Sequence, residues 1–408
     1  EKRLVVSSGE TIFFDKLCIC TGASPSLICS ASKFCVGIRD DVSVERVARA
    51  LSSSRRILVV GNGGIALEVI DALKDTGLEI VWAVKDLYIG NTFYDASASD
   101  FFFPSLFQSD VASTSRITPD YDFSKTTSDG SAAAAWPWTE VGINHGAPSP
   151  TSTKQARDWG YALGPRWMEA FAESEIAAPA TGHAASGNVQ LELGATVLKL
   201  AENGDKEPGQ WNVHAWLSND KVYGCDLIIS ATGVQPEVRF LVDKCSDCPL
   251  ALDPNDGGIQ INKLMETNLS GIFAAGDVTS VTWVTPQDHV DAEGARITSH
   301  WFQMRLWDQA EQAGRHAALS MCALRDELSA SMSFELFTHV TSCFGFKVVL
   351  LGLFNGQTLG SSYEMVLKER ALARPQRAGE AGDELRNPME VLIRATPGQE
   401  YIKGVGVH

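Results

Sequence analysis

The stretch "RRILVVGNGGIALEVIDALKDTGLEIVWAVK", residues Arg55–Lys85, decides the fold of this chain. An apolar run, Ile57–Val60, leads into a glycine-rich turn, and a segment with helical periodicity follows the turn. A second apolar run, Ile80–Val84, comes near the end of the stretch. This order predicts a strand, a tight turn, a helix and a second strand, which together form one βαβ unit of a parallel sheet.

The turn carries the residue types of a dinucleotide-binding fingerprint, Gly61-x-Gly63-x-x-Ala66, in the strand-to-helix context that such a fingerprint requires. Gly61 permits the tight turn, Gly63 lets a pyrophosphate approach the backbone, and Ala66 is small enough for close helix packing. The N-terminus of the helix offers amide groups and a positive dipole to the phosphates. An ordinary strand-to-helix turn is the alternative. The flanking elements favour a nucleotide site formed by Gly61, Asn62, Gly63, Gly64 and Ile65.

The end of the second strand leaves the choice of nucleotide open. An acid that binds the ribose 2′-hydroxyl is expected about 20 residues after the fingerprint, and it is not cleanly present. Lys85 and Asp86 follow the strand instead. Lys85 would pair with the 2′-phosphate of NADPH, whereas Asp86 would bind the 2′-hydroxyl of NADH. A solvated charge at Lys85 is an equal alternative.

Other segments give a coarse outline of the chain. Short strands are predicted at 4–6, 11–14 and 17–20, and a helix is predicted at 41–54. Residues from about 96 to 187 are rich in Ser, Ala, Gly, Thr and Pro, which predicts a long insertion that is mostly loop. Strand patterns return at 189–200, 211–218, 221–233 and 257–278, followed by a predicted helix at 301–328 and a β-like segment at 333–354.

The composition excludes some classes of partner. The chain has 408 residues, of which 44% are hydrophobic and 21% charged, and its formal net charge is −16. Because nucleic acids and anionic membranes attract basic surfaces, this charge argues against direct binding to either. No run of about 18 apolar residues occurs, so we expect no transmembrane helix.

Nine cysteines are scattered along the chain. Several lie in apolar strand-like segments, which predicts buried thiols in a reducing compartment and no disulfide framework. Cys18 and Cys20 alternate along one strand, so we expect them on one face, in the core. Cys245 and Cys248 have the spacing of a redox dithiol but follow a polar stretch, so we predict two unrelated loop thiols. No second ligand pair follows at zinc-finger spacing, and no metal site is predicted.

Three further motifs place small residues after buried strands. They are Thr21-Gly22 after "LCIC", Thr232-Gly233 after "LIISA", and Gly276-Asp277 after "GIFAA". Small residues in such positions allow a backbone to approach a cofactor or to cross between domains. A carboxylate at Asp277 would accept hydrogen bonds from sugar hydroxyls.

Together these motifs resemble the pyridine nucleotide-disulfide oxidoreductases, α/β flavoproteins with two dinucleotide-binding domains. The resemblance implies that Thr21-Gly22 and Gly276-Asp277 bind FAD, and that the glycine fingerprint and Thr232-Gly233 bind NAD(P). It implies that the fingerprint for the FAD pyrophosphate lies upstream of Glu1 and that the chain is truncated at both ends. The predicted domains are the first part of an FAD domain at 1–50, an NAD(P) domain at 51–235 with the insertion at about 96–187, the second part of the FAD domain at 236–330, and a partial α+β interface domain at 331–408.

A narrower resemblance to one eukaryotic branch of this family rests on strings such as "RRILVVGNGGIALEV", "YGCDLIISATGVQP", "QMRLW" and "SFELFTHVT". It implies an FAD-dependent oxidoreductase that NAD(P)H reduces, of class EC 1.8.1.-, with the electron acceptor left open. It also implies a role in the oxidative stress response, a location in cytoplasm and nucleus, and association with the tRNA-splicing RNA ligase complex. The alternative is a protein that binds NAD(P)H and flavin to shield this partner from oxidation, with little turnover.

Two segments bear on the chemistry without settling it. Glu68 lies just inside the helix after the turn, where related reductases bring an acid near the nicotinamide. A first-turn acid that favours the helix dipole is at least an equal explanation. The string "WFQMRLW", residues 301–307, would begin a helix whose N-terminus faces the flavin; on its own it indicates only an amphipathic helix with aromatic core residues. No catalytic residue is assigned beyond the Glu68 alternative.

If Lys85 meets a 2′-phosphate, replacing it with alanine weakens NADPH binding much more than NADH binding. Loss of one charge-assisted contact costs about 1.5–3 kcal/mol. Dissociation constants of both nucleotides, measured on the same protein, give the difference. The variant Asp86→Ala is the matched control, because it weakens NADH more if Asp86 holds the 2′-hydroxyl. Equal effects of Lys85→Ala on both nucleotides would favour the solvated charge.

Overall fold

The computed structural model describes the greater part of the chain. Its described residues are 2–93, 99, 117–122, 139–142, 189–203, 210–242, 249–283, 301–324, 334–344, 346–354, 363–369, 389–395 and 404–407. The predicted insertion at about 96–187 falls mostly outside them. Cys245 and Cys248 also lie outside the described residues, so the prediction made for that pair stays a prediction.

Short strands and a few helices succeed one another along the described chain. The strands up to residue 230 are β1 Arg3–Val5, β2 Thr11–Phe13, β3 Leu17–Ile19, β4 Ala23–Pro25, β5 Cys35–Val36, β6 Arg56–Val60, β7 Glu79–Val84, β8 Tyr121–Asp122, β9 Thr139–Val141, β10 Val189–Leu193, β11 Val197–Glu202, β12 Val213–Leu217, β13 Lys221–Cys225 and β14 Leu227–Ser230. The later strands are β15 Val234–Pro236, β16 Ile259–Ile261, β17 Ile272–Ala274, β18 Thr279–Val281, β19 Thr338–Cys343, β20 Phe346–Leu351, β21 Tyr363–Glu369, β22 Met389–Ala395 and β23 Gly404–Val407. The helices are α1 Asp41–Leu51, α2 Gly64–Leu73, α3 Arg239–Val242 and α4 Trp307–Met321, and Gly276–Val278 forms a 3₁₀ turn.

The predicted βαβ unit is confirmed and forms the centre of a parallel sheet with the order β10-β7-β6-β14-β5. Strand β6 pairs with β7, where Ile57 lies opposite Ile80, and with β14 on its other side. Strand β5 pairs with β14 although it comes from the first predicted segment, residues 1–50. The parallel sheet therefore draws an edge strand from the part of the chain that precedes the βαβ unit.

Side chains of strand β6 alternate between two apolar cores. Ile57 and Val59 pack with residues of α1 and α2 on one face of the sheet. Leu58 and Val60 pack on the opposite face. Because successive side chains of a strand point to opposite faces, a strand that is covered on both sides needs an unbroken apolar run, and the run at 57–60 provides it.

An antiparallel sheet with the order β8-β13-β12-β11-β9 covers the second face. Its three central strands agree with the strand patterns predicted at 189–200, 211–218 and 221–233. Its edges come from the predicted insertion: β8 pairs with β13, and β9 pairs with β11. The prediction of loop is wrong at residues 121–122 and 139–141, because strands this short show no alternation in the sequence.

Three short strand pairs connect the segments on either side of the parallel sheet. Strand β3 pairs with β17 and β16 pairs with β18, both in parallel. Strands β4 and β15 form an antiparallel pair directly after the two Thr-Gly motifs. This pair is where the chain passes into the parallel sheet and back out of it.

Helix α4 begins at Trp307, so the helix predicted from residue 301 starts too early. Leu306 has the extended backbone of an N-cap residue, and Arg305 has a φ of 53°. The buried Arg305 guanidinium donates to Asp256 Oδ2 at 2.7 Å and to the Asp277 carbonyl at 2.9 Å. These long-range bonds hold residues 301–306 outside the helix despite their helix-like composition.

An antiparallel sheet with the order β19-β20-β23-β22-β21 forms the C-terminal part. Its first strand lies against α2, where Phe344 N donates to Asp71 Oδ2 at 3.0 Å. The β-like segment predicted at 333–354 is confirmed by β19 and β20. Within the described ranges, no helix has the length and apolar character needed to cross a membrane.

At Gly61 the fold itself requires glycine. Its φ is 137°, and an added Cβ would lie 2.1 Å from the carbonyl oxygen of Ala231. We expect Gly61→Ala to lower the free energy of unfolding by about 3 kcal/mol, through backbone strain and overpacking. The matched variant Gly314→Ala, in α4 with open space at the new Cβ, should raise it by about 0.5–1 kcal/mol. Urea titration measures both, and a loss below about 1 kcal/mol at Gly61 would contradict the close approach.

Candidate functional site

The glycine turn after β6 is held by the strand beside it. Gly61 N donates to the Ala83 carbonyl at 3.2 Å, and Trp82 Nε1 donates to the Gly61 carbonyl at 2.8 Å. Gly63, the N-cap of α2, has a φ of −92° and a ψ of −175°, an extended conformation that other residues adopt. No side chain of the described residues caps α2. The backbone conformation therefore requires glycine at Gly61 but not at Gly63. Gly63 lies next to the amide groups at the N-terminus of α2, which a ligand can use.

Asn62 ties the turn to the loop after β7. Its Nδ2 donates to Asp86 Oδ2 at 2.8 Å and to the Tyr88 carbonyl at 2.9 Å, and its Oδ1 accepts from Gly90 N at 2.6 Å. Lys85 is exposed at the strand end. The structure thus places the carboxylate of Asp86 against the fingerprint, with the lysine at the neighbouring surface.

Glu68 is buried in the second turn of α2, because the helix begins at Gly64 and its first turn contains no acid. The first-turn explanation for this acid therefore fails. Thr341 Oγ1, from β19, donates to Glu68 Oε1 at 3.3 Å. Ile65 belongs to the core that α2 shares with α1. Helix α2 thus holds its N-terminus at the glycine turn and its acidic side against the C-terminal sheet.

The two Thr-Gly motifs lie at the crossing formed by β4 and β15. Their glycines have φ values of 71° and 93°, which turn the chain into the crossing strands. Thr21 Oγ1 donates to the Glu237 carbonyl at 2.8 Å, and Thr232 Oγ1 donates to the Ser26 carbonyl at 2.6 Å. Each threonine therefore bonds to the residue that follows the opposite crossing strand, and the two motifs form one reciprocal unit.

Asp277 is a buried carboxylate in the 3₁₀ turn after β17. Arg39 Nη2 donates to its Oδ2 at 2.5 Å. Its Oδ1 is buried without a hydrogen-bond partner among the described residues. Burial raises the pKa of Asp277, and the charge of Arg39 opposes that rise. Gly276, directly before it, has a φ of 76°. An unpaired buried acceptor is costly, so Oδ1 is suited to a donor from a ligand.

His339 on β19 lies between two other parts of the chain. Its ring stacks on Phe93, with centroids 5.6 Å apart. Its Nδ1 lies 3.7 Å from Asp308 Oδ2 in the first turn of α4. Its Nε2 is buried and has no hydrogen-bond partner in the described part of the chain. A buried polar nitrogen of this kind is uncommon and marks a position where a proton acceptor or donor is missing.

Sequence reasoning missed Arg39 and His339. The partner of Arg39, Asp277, is 238 residues away in the sequence. The string "SFELFTHVT", which contains His339, carried the resemblance without indicating a contact. A charged residue directly after a buried apolar segment, as Arg39 follows Ile38, is the available signal, and it is weak.

The cysteines of β3 are not in the core, contrary to the prediction. Cys20 is exposed and Cys18 is half-buried, whereas Ile19 between them is buried. Both thiols do share one face of the strand, with Sγ atoms 3.5 Å apart. Cys18 packs at the edge of the core that contains Ile19, and the prediction fails most clearly at Cys20, which lies beyond the last residue of β3. Across the described ranges, no group of three or more His, Cys, Asp or Glu side chains could hold a metal ion.

Comparison with known sequences bears on the same motifs. The family model described as pyridine nucleotide-disulphide oxidoreductase matches residues 1–113 and 162–314. A curated relative, pyridine nucleotide-disulfide oxidoreductase domain-containing protein 1 of Homo sapiens, is 35% identical over 432 residues. The match covers 99% of this chain and 71% of the relative. Both the family resemblance and the narrower one predicted from the motifs are confirmed.

Solved structures bear on the fold. A ferredoxin reductase from Rhodopseudomonas palustris matches with a TM-score of 0.58 at 15% identity, over 100% of this chain and 70% of that one. An FAD-dependent pyridine nucleotide-disulphide oxidoreductase from Desulfovibrio vulgaris matches with a TM-score of 0.56 at 16% identity, over 99% and 74%. At these identities the likeness shows the fold alone. The predicted α/β flavoprotein fold with two dinucleotide-binding domains is confirmed.

Replacing Arg39 with methionine removes the hydrogen bond and the stronger of the two positive charges at the buried carboxylate of Asp277, and leaves only the charge of Arg305. We expect the free energy of unfolding to fall by about 3–5 kcal/mol near neutral pH. Because burial already raises the pKa of Asp277, the folded state holds this proton more tightly than the unfolded state. The free energy of unfolding therefore falls as the pH rises from the pKa of Asp277 in the unfolded state through its pKa in the folded state. Because Arg39 opposes the rise in the folded-state pKa, Arg39→Met extends that fall to higher pH.

Urea titrations between pH 4 and pH 8 measure the effect. The matched control is Arg49→Met, because Arg49 and Glu45 are exposed and 3.9 Å apart; it should change stability by less than about 0.5 kcal/mol. An Arg39→Met variant with the pH profile of the unmodified protein would show that Arg39 does not stabilise the Asp277 charge.

Proposed function

The chain belongs to the pyridine nucleotide-disulphide oxidoreductase family, and we therefore propose that it is an FAD-dependent oxidoreductase that NAD(P)H reduces. The conformation of Gly63 carries the proposal. The backbone conformation at Gly63 does not require glycine, yet glycine is the N-cap residue of α2. No side chain of the described residues caps this helix. A ligand that must approach the backbone closely, as a pyrophosphate does, explains the residue.

The residues around the turn fit a nicotinamide nucleotide. The first amide groups of α2 would bind the pyrophosphate, helped by the helix dipole. Asp86, held by Asn62, would accept a hydrogen bond from the 2′-hydroxyl of NADH, and the exposed Lys85 would pair with the 2′-phosphate of NADPH. Thr232-Gly233 follows the neighbouring strand β14 and would flank the nucleotide. The two nucleotides remain alternatives for this site.

The residues of the other half fit the sugar chain of FAD. Asp277 Oδ1 is a buried acceptor that lacks a donor among the described residues, and a hydroxyl group would supply one. Arg39 orients the carboxylate by donating to Oδ2, and its charge opposes the rise that burial causes in the pKa of Asp277. Thr21-Gly22 and Gly276 follow the paired strands β3 and β17 closely, so their backbone lies at the strand ends where a cofactor would approach.

When bound, FAD supplies the ring that accepts a hydride from NAD(P)H. The chain's own residues would bind FAD and the nicotinamide nucleotide and orient them toward each other. Strand β19 fixes two titratable side chains at once, because Thr341 bonds to Glu68 and His339 packs on Phe93. His339 Nε2, buried and unpartnered within the described residues, is a polar atom to which a bound group could supply the missing hydrogen bond.

The finer parts of the proposal rest on the resemblance alone. They are an EC 1.8.1.- reaction, a role in the oxidative stress response, a location in cytoplasm and nucleus, and association with the tRNA-splicing RNA ligase complex. Co-purification of the ligase with the tagged full-length protein tests the partner, and fractionation of the same cells tests the location. A ligase that stays in the unbound fraction would contradict that association.

Steady-state turnover separates an enzyme from a protein that only shields a partner. The flavin-loaded full-length protein should oxidise NADH or NADPH continuously when a dye acceptor is in excess. A shielding protein would bind both cofactors, be reduced once, and then stop. Flavin absorbance and nucleotide absorbance, recorded together, distinguish the two results.

Gly63→Asp places a carboxylate and its bulk where the nucleotide phosphates would lie. We expect bound flavin to remain while the rate of its reduction by NAD(P)H falls more than about hundredfold, roughly 2.7 kcal/mol of barrier. Stopped-flow absorbance of the flavin measures the rate. Gly142→Asp is the matched control, because an added Cβ there meets nothing within 4 Å. Reduction of Gly63→Asp at the unmodified rate would refute the nucleotide assignment.

A further inference from the structure

Two thiols lie side by side at the end of β3, one on the strand and one just after it. The Sγ atoms of Cys18 and Cys20 are 3.5 Å apart, so the two side chains already point toward each other. Cys20 is exposed, and Cys18 is half-buried. Neither residue belongs to the motifs that the proposed function uses, although Thr21 follows directly. Their position makes the pair accessible to small reagents.

The two thiols differ in the ease with which they lose a proton. The hydrogen bond from Cys18 is the main cause that lowers the pKa of Cys20 to about 7, and a backbone hydrogen bond from Ala275 contributes. The same thiol–thiol hydrogen bond raises the pKa of Cys18, and burial adds to the rise. At neutral pH a large fraction of Cys20 is therefore thiolate, the nucleophilic form, while Cys18 keeps its proton.

The backbone permits a bond between them. Residues two apart on a strand have Cα atoms about 6.6 Å apart, within the span of about 4.4–6.8 Å that disulfides bridge. Cys20 lies just beyond Ile19, the last residue of β3. Closing the 3.5 Å gap between the sulfurs to bonding distance requires movement of the chain at Cys20, which lies beyond the bond from Ala275 N to the Ile19 carbonyl that holds the strand end.

We propose that Cys18 and Cys20 form a dithiol that hydrogen peroxide converts reversibly into an intramolecular disulfide. The Cys20 thiolate attacks one peroxide oxygen: an S–O bond forms, the O–O bond breaks, and hydroxide leaves. Cys18 sulfur then attacks the sulfenic acid on Cys20: the S–S bond forms, the S–O bond breaks, and the Cys18 proton leaves with the oxygen as water. Two thiols are oxidised and one peroxide is reduced to water. A thiol reductant reverses the reaction by exchange.

Peptide mapping of the full-length protein tests the product. The reduced protein receives one equivalent of hydrogen peroxide, is denatured in acid, and is alkylated with N-ethylmaleimide before trypsin digestion. The peptide of residues 17–33 contains Cys18, Cys20 and Cys29. We expect it to lose two hydrogen atoms between Cys18 and Cys20, to carry the label on Cys29, and to regain both thiols with dithiothreitol. Label on both residues of the pair, sulfinic acid on Cys20, or a bond between two chains would each overturn the proposal.

Variants test the order of the steps. In Cys18→Ser, Cys20 should stop at the sulfenic acid, which dimedone traps. In Cys20→Ser, loss of free thiol in the peptide should slow by more than about tenfold. Cys322→Ser is the matched control, because this exposed cysteine lies outside the pair, and the disulfide yield should be unchanged. The rate in unmodified protein should rise with pH to half its maximum near pH 7, the pKa of Cys20. A Cys20→Ser protein that reacts as fast as the unmodified one would refute the assignment of the nucleophile.

Discussion

The contact between the turn at Gly61 and the end of β14 fixes the position of every group that would bind the nicotinamide nucleotide. A Cβ at Gly61 would lie 2.1 Å from the Ala231 carbonyl oxygen, so the two backbones pack without a side chain between them. Ala231 N in turn donates to the Val60 carbonyl at 2.8 Å. Three neighbouring strands, β7, β6 and β14, therefore end at one level. The fingerprint and Thr232-Gly233 come to lie next to each other because of this packing.

The crossing of β4 and β15 is the second constraint, and Glu237 organises it. Its backbone N donates to the Gly22 carbonyl at 2.9 Å, and its carboxylate accepts from Ser24 Oγ at 2.6 Å. Hydrogen bonds from Arg239 and Ser24 lower the pKa of Glu237 to about 2, so it is charged at neutral pH. The residues assigned to FAD and those assigned to the nucleotide are thus joined by short, partly exposed strands. Junctions of this kind permit relative movement of domains.

The parts that the sequence predicted correctly are those whose cause is local. The run 57–60, the glycine turn and the helix after it follow from patterns within about 30 residues, and the structure confirms them. Misses have remote causes. Residues 301–306 are extended because Arg305 bonds to Asp256 and Asp277. Cys20 is exposed because β3 ends at Ile19, whereas Cys18 packs against the core, and no pattern in three residues reveals where that cover ends.

The residues of the candidate site also divide into those that local sequence patterns reveal and those whose role depends on a remote partner. Gly61 and Asp277 were identified because glycine and acid at fixed places after strands have a recognised use. Arg39 was missed because its role exists only when Asp277 is beside it, 238 residues along the chain. Glu68 was named, but its neighbour Thr341 belongs to the C-terminal sheet, and a distance of 273 residues hides such a pair from sequence reasoning.

Helix α2 connects the glycine turn to the C-terminal sheet. Glu68 and Asp71 are three residues apart, so they lie on one side of the helix. Both accept hydrogen bonds from the C-terminal sheet, Glu68 from Thr341 Oγ1 and Asp71 from Phe344 N. The N-terminus of the same helix begins at the glycine turn. A ligand that binds at the turn therefore contacts an element that the C-terminal sheet already holds. We infer that attachment of this sheet preorganises the nucleotide site, because less conformational freedom remains to be lost on binding.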